Sequence, residues 1–127
     1  MRYWTFDVCS LIADYEKNKR TLTAIQEAMQ VAQGYYEKPI GSTSRGDWKQ
    51  YIDVLTLRLN EYQMYVDMVV LGLQDLPEVE RLVLKFWLID HYDDTVIKDH
   101  CGISNLEELR KIKQIALTKF TNLVMPD

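Results

Sequence analysis

Two rows of apolar residues at heptad spacing constrain the fold of this 127-residue chain more than any other feature. In the first row the steps alternate between four and three, and Asn18 is its only polar member. This spacing keeps the side chains on one side of a helix and is typical of coiled-coil packing. It predicts a helix over about residues 3–33 that stops at Gly34. The row consists of Trp4, Val8, Leu11, Tyr15, Asn18, Leu22, Ile25, Met29 and Ala32.

Asn18 has two interpretations. A buried Asn in such a row commonly determines the register of the helices or the number of partner helices. Alternatively, Asn18 lies at a hydrated point of the interface. The sequence alone leaves both interpretations open.

The second row has the same alternation of four and three. Residues 34–46, which separate the two rows, contain Pro39, three Gly, and Ser and Thr residues, and this composition indicates a loop. Asp47 is the expected N-cap of the second helix. Two long helices with matching rows are predicted to fold back as an antiparallel, coiled-coil-like hairpin. The second row consists of Trp48, Ile52, Leu55, Leu59, Tyr62, Val66, Val69 and Leu73.

The second helix is also apolar away from this row. One facing helix cannot cover both surfaces, so either the C-terminal part of the chain or a second subunit is expected to pack there. We therefore assign dimerisation or partner binding to residues 1–75, with a homodimer as the expected assembly. The predicted partner surface consists of Tyr51, Val54, Met64, Met68 and Leu71.

Residues 76–127 are predicted to form a second, helical domain. Pro77 at a first helical position starts a helix that runs to about Ile89. A short helix over residues 95–101 follows, with Asp93 or Asp94 as its N-cap. No alternating strand pattern occurs anywhere in the sequence, so the predicted fold class is all-α.

A tight turn is predicted between the short helix and the last helix. Gly102 permits the positive φ angle of such a turn, and Ile103 fills the angle between the two helices. Ser104 is the expected N-cap of the last helix, which spans about residues 105–123.

This segment resembles the region-4 helix-turn-helix of sigma-70-type transcription factors. Behind an N-terminal helical segment in a chain this short, it also resembles the phage-encoded ArpU/RinA-type regulators. The resemblance implies a protein that binds double-stranded DNA and activates late genes of phages or prophages, with RNA polymerase as a further partner. The similar residues are Leu76-Pro77, Glu80-Arg81, Ile97, Cys101-Gly102-Ile103-Ser104, Leu109, Ile112, Ala116-Leu117 and Lys119-Phe120.

The outward face of the last helix would contact DNA. A rotation of about 100° per residue, with Leu109, Ile112 and Ala116 turned inward, leaves a polar face opposite them. Arg and Lys can donate to guanine, Gln can pair with adenine, and Glu can accept from the cytosine amino group. Residues on the preceding helix and at the edge of the face are candidates for phosphate contacts. The predicted DNA-binding set is Thr95, Lys98, Asn105, Glu107, Arg110, Lys111, Lys113, Gln114 and Thr118.

The charge of the chain favours a second hypothesis. The net charge is −4, from 15 basic and 19 acidic residues, so DNA binding would depend on a local basic patch and a dimer. Glu107 and Glu108 place negative charge in the first turn of the last helix, and Lys98 stands where such a turn normally has a small alanine. These three residues fit an acidic protein-interaction module, or an inhibitor of a host protein, that retains the helix-turn-helix fold. Changes in the apolar partner surface would then matter more than changes in the polar face.

Other functional classes lack their sequence signals. No phosphate-binding loop, nucleophile motif or metal-ligand spacing occurs, so we expect no enzymatic activity, cofactor, metal ion or small-molecule substrate. No stretch approaches the length of a membrane span, and residues 1–7 form no signal-peptide core. The expected location is the cytoplasm of a bacterial host cell.

Overall fold

The computed structural model describes residues 8–38, 41 and 44–125. Every regular element within these residues is a helix, so the chain is all-α, as predicted. The predicted helix start near residue 3 and the row member Trp4 lie outside the described residues. The elements are α1 (Val8–Ala13), α2 (Tyr15–Glu37), α3 (Arg45–Gln74), α4 (Glu78–Leu84), a π-helix (Lys85–Ile89), α5 (Asp94–Cys101) and α6 (Leu106–Val124).

The chain divides into two compact units. One, the helix-pair unit, comprises residues 17–66, and the other, the terminal unit, comprises residues 1–16 and 67–127. This division does not coincide with the predicted boundary between residues 75 and 76. None of the helices described here is long and apolar enough to cross a membrane.

In the helix-pair unit the two apolar rows pack against each other. Ile25 and Ala32 of α2 are buried together with Leu55 of α3. Next to the connecting segment, the rings of Tyr35 and Trp48 stack with centroids 4.9 Å apart. These contacts join the end of α2 to the start of α3. The half-buried residues packed around this core are Ala28, Met29, Trp48, Ile52, Leu59 and Tyr62.

The predicted stop of the first helix at Gly34 is wrong, because α2 continues to Glu37. Beyond that end, the Arg45 side chain donates hydrogen bonds to the carbonyls of Tyr36 (2.9 Å) and Glu37 (3.1 Å). The guanidinium satisfies carbonyls that have no partner within the helix. A Gly inside a helix is tolerated at a cost of about 1 kcal/mol, so Gly34 by itself does not end the helix.

The start of α3 also differs from the prediction. The Ser44 hydroxyl accepts a hydrogen bond from the Asp47 N–H (3.1 Å), and the Asp47 carboxylate accepts one from the Ser44 N–H (3.4 Å). This reciprocal pair is a capping box, with Ser44 as the cap and Asp47 as the third helical residue. Asp47 therefore stabilises the predicted helix start without being its N-cap.

Asn18 is buried, with 4% of its surface exposed. Its side-chain Nδ2 has no hydrogen-bond partner among the described residues. Of the two interpretations that the sequence leaves open, the structure thus supports burial over a hydrated position.

The predicted first helix is interrupted at Asp14, which separates α1 from α2. Val8, Leu11 and Ile12 of α1 are buried, and α1 packs against the π-helix and α6 in the terminal unit. Val8 and Leu11 were expected to pack in the hairpin. Heptad spacing identifies a buried face, but it does not identify the element that covers that face.

The predicted helix up to Ile89 has the expected extent and a different ending. It begins at Glu78, with Pro77 as its N-cap and not as its first residue. From Lys85 onward it widens into a π-helix, in which the Asp90 N–H donates to the Lys85 carbonyl (2.9 Å). The turn that follows contains His91 at a φ of 59°.

Candidate nucleic-acid interface

Helix α5 and the turn after it are bounded by local polar contacts. The Asp93 carboxylate caps α5 by accepting a hydrogen bond from the Val96 N–H (3.0 Å), which selects one of the two predicted caps. At the other end, Gly102 has a φ of 67°, as predicted for the turn. The Ile103 N–H donates to the Lys98 carbonyl (3.0 Å), which is the pattern of a Schellman ending.

Helix α6 begins one residue later than predicted. The Asn105 side chain accepts a hydrogen bond from the Glu108 N–H (2.8 Å), so Asn105 is the N-cap and the prediction of Ser104 is wrong. Asn has about the same N-cap preference as Ser, and its extended backbone here allows the contact. The side-chain oxygen of Asn105, a residue predicted to contact DNA, is thus occupied by the cap.

A small apolar core holds α4, α5 and α6 together. Val83, Ile97, Ile103 and Leu109 are all buried in it. Ile103 fills the angle between α5 and α6, as the sequence predicts. This core orients the outward face of α6. The half-buried residues packed against it are Phe86, Trp87, Cys101 and Ile112.

The outward face of α6 is polar. Leu109, Ala116 and Phe120 are buried on the inward side, which agrees with the predicted helical phase. A shallow groove of about 440 Å³ runs along the outward side and is lined by Lys111, Gln114, Ile115, Thr118 and Lys119. All five predicted residues of this face are exposed: Glu107, Arg110, Lys111, Gln114 and Thr118.

Lys113 is not on the open face. Its ammonium lies 2.6 Å from an Asp94 carboxylate oxygen and 4.4 Å from the centroid of the Trp87 ring. Its side chain is only 16% exposed. The ion pair and the cation–π contact tie α6 to the start of α5 and to the π-helix.

Lys98, the predicted cation on α5, is also paired. Lys98 lies 3.0 Å from the Asp99 carboxylate, whereas Thr95 is exposed on the same helix. On α6, Lys119 contacts both carboxylate oxygens of Glu80, at 3.0 and 3.1 Å. Arg110 and Lys111 are the cations of the predicted face that form no ion pair with the described residues.

The predicted partner surface is only partly open. Tyr51, Val54 and Leu71 of α3 are exposed, whereas Met64 and Met68 are half-buried. Leu57, at 72%, is the most exposed of the large hydrophobic residues described. The predicted partner surface did not include Leu57.

Two further features were not predicted. Ile115 is exposed beside the polar face of α6. Its position on the helical wheel could have predicted this exposure. The rings of Phe86 and Tyr92 stack with centroids 5.4 Å apart, and His100 lies within 6.4 Å of both ring centroids. This cluster depends on the π-helix and the turn at His91, which periodicity does not indicate.

The described part of the chain was also compared with the requirements of a metal site and of a reactive thiol. No group of three His, Cys, Asp or Glu residues there could hold a metal ion. Burial raises the pKa of the Cys101 thiol, so less of it is thiolate at neutral pH than for an ordinary cysteine.

Comparisons with known proteins return no relative. No family model matches the sequence, and no curated protein or solved structure is significantly similar to the chain. The interpretation of this face therefore depends on its own geometry.

Proposed function

We propose that this protein is a sequence-specific DNA-binding regulator of transcription. In this proposal α5 and α6 act as a helix-turn-helix, and α6 enters the major groove. The observation that carries it is the exposed face of α6, on which Arg110 and Lys111 lie free of ion pairs beside Gln114. The buried core under α5 and α6 holds this face in one orientation.

The residues of this face match the hydrogen-bonding groups of base edges. Arg110 or Lys111 would donate to guanine O6 and N7, and Gln114 would pair with adenine. Glu107 would accept from a cytosine amino group, and Thr95 would contact a phosphate. Lys98 and Lys113 would have to leave ion pairs to reach phosphates, so we assign them smaller contributions.

The sequence resemblance extends the proposal to phage biology. By its resemblance to the ArpU/RinA-type regulators, the protein would act at promoters of phage or prophage late genes, with RNA polymerase as a partner. The helical hairpin would join two copies through exposed residues such as Tyr51, Val54 and Leu57. A dimer would double the small number of free cations available to the DNA.

A fluorescence-anisotropy titration over a salt series tests the proposal. The full-length protein is titrated against DNA fragments flanking its own gene and against a random duplex. We expect tighter binding to one flanking fragment and a log–log salt slope of about −0.9 for each phosphate neutralised. Arg110→Glu/Lys111→Glu should abolish the preference for that fragment.

The matched control is Lys17→Glu/Arg20→Glu. These residues are exposed on α2, and the double variant changes the net charge by the same amount. It should retain the preferred fragment. Equal, weak binding to all fragments at low salt would refute the proposal, and so would equal losses in the two double variants.

A second candidate function is an acidic protein-interaction module that retains the helix-turn-helix fold. The favouring observation is that Lys85, Lys98, Lys113 and Lys119 are all in ion pairs, which reduces the positive potential of the terminal unit. Under this alternative, Leu57→Glu would remove function and the double charge reversal on α6 would not.

A further inference from the structure

Ile115 is an apolar residue on the edge of a polar face. It is 50% exposed, whereas Leu109, Ala116 and Phe120 of the same helix are buried. It lies in the groove together with Gln114 and Thr118. An amide and two methyl-bearing side chains therefore share one shallow surface.

This combination matches one kind of base pair. In the major groove, adenine presents the N7 acceptor and the N6 donor, which a Gln side chain can engage together. Its partner thymine adds a 5-methyl group, and apolar side chains contact that methyl. A G·C pair carries no such methyl, so Ile115 would gain no equivalent contact there.

We infer that Ile115 determines specificity by contacting a thymine methyl, with Gln114 on an adenine of the same or the neighbouring base pair. The inference rests on the proposed DNA-binding function. Consecutive helical residues differ by about 100° and 1.5 Å along the axis, so Gln114 and Ile115 reach adjacent points of the groove. Lys119 is held by Glu80 and is not assigned to a base.

The inference also implies an orientation for α6. The groove lies in the middle of this helix, which spans Leu106–Val124. Contacts from there require α6 to lie along the major groove, with both its first turns and its middle near base edges. An end-on approach would leave Ile115 away from the DNA.

Replacement of thymine by deoxyuridine is the test, because it removes only the methyl group. The preferred duplex is first selected from a random pool with the full-length protein. Each thymine is then replaced in turn, and Kd is measured by anisotropy. We expect Kd to rise about fourfold at one or two positions, the effect expected for one buried methyl group. Ile115→Ala should bind the thymine and deoxyuridine duplexes equally.

Leu123→Ala is the matched control, because Leu123 is 46% exposed on α6 and does not line the groove. It should keep the fourfold discrimination. Tight, selective binding with no sensitivity to any thymine methyl would overturn the inference and leave the proposed function intact. Unchanged discrimination in Ile115→Ala would overturn it too. If the pool yields no preferred duplex, the proposed function itself fails, and the inference fails with it.

Discussion

The region from α4 to α6 and the helix-pair unit are both helical but are stabilised in different ways. From α4 to α6, polar side chains cap α5 and α6, and four ion pairs accompany a small apolar core. In the helix-pair unit, apolar rows and stacked rings form the main contacts between α2 and α3. Local signals thus determine element ends in the first region, while periodicity determines facing surfaces in the second.

Phe120→Ala should have the largest effect on stability. Phe120 is fully buried in the terminal unit, so we expect the free energy of unfolding, measured in urea, to fall by about 3–5 kcal/mol. Leu123→Ala, at an exposed position of the same helix, should stay within about 0.5 kcal/mol. A loss below about 1 kcal/mol for Phe120→Ala would contradict the packing described for α6.

Replacement of a helical glycine by alanine should change stability in opposite directions in the terminal unit and in the helix-pair unit. At Gly72, an added Cβ would collide with the Phe120 ring and Val124, so Gly72→Ala should destabilise the protein by about 1–3 kcal/mol. At Gly34 no atom lies within 4 Å of an added Cβ. Gly34→Ala should therefore stabilise it by about 1 kcal/mol, through helix propensity. Denaturant midpoints of both variants check the prediction, and equal signs would disprove it.

Gly102→Ala separates backbone strain from steric conflict. No atom lies within 4 Å of an added Cβ, but the φ of 67° is unfavourable for an L-residue. We expect the free energy of unfolding, measured by thermal or urea denaturation, to fall by about 1–2 kcal/mol. Gly102→Asn should lose less, because Asn tolerates this conformation better. Equal losses for Ala and Asn would argue against a left-handed turn.

Asn18→Leu should stabilise the helix-pair unit. The buried Nδ2 has no partner among the described residues, and an unsatisfied buried polar group costs about 1–3 kcal/mol. We expect the free energy of unfolding, measured in urea, to rise by about 1 kcal/mol. Size-exclusion chromatography with light scattering adds a second readout, because loss of a register-determining Asn can change the number of associated helices. A clear loss of stability would show that Asn18 has a partner in solution.

Lys113→Met should have the smallest effect. The ion pair with the half-exposed Asp94 and the cation–π contact each contribute about 1 kcal/mol or less. A double-mutant cycle with Asp94→Asn should reveal their coupling. The salt slope of DNA binding should change by clearly less than about 0.9 in Lys113→Met, because the side chain is held within the terminal unit and would contribute little to phosphate contacts. A slope smaller by about 0.9 would instead identify Lys113 as a phosphate contact.

These regions also differ in how far the sequence predicted them. The turn at Gly102 and the inward residues of α6 follow from local rules, and the structure agrees. For the cap of α5 the sequence offered Asp93 or Asp94, and the structure has Asp93. The cap at Asn105 was missed by one residue, because Ser and Asn cap almost equally well. At Gly34 the prediction failed because a Gly alone does not end a helix, and Arg45, from beyond the connecting segment, satisfies the carbonyls at the end of α2.

The candidate site was predicted at the level of a face and not of individual side chains. The helical phase correctly predicted that Arg110, Lys111 and Gln114 are exposed. It could not show that Lys113 pairs with Asp94 or that Lys98 pairs with Asp99, because phase does not describe what neighbouring groups offer.

The sequence by itself determined the helical class, the two apolar rows and the turn between α5 and α6, because periodicity, caps and a positive-φ glycine act over a few residues. Only the tertiary structure decided that α1 packs with the π-helix and α6, that Gly72 lies against Phe120, and which lysines remain free. Such features depend on groups that are far apart in the chain. These contacts therefore contribute to stability only when folding brings the groups within contact distance, and local sequence rules do not predict them.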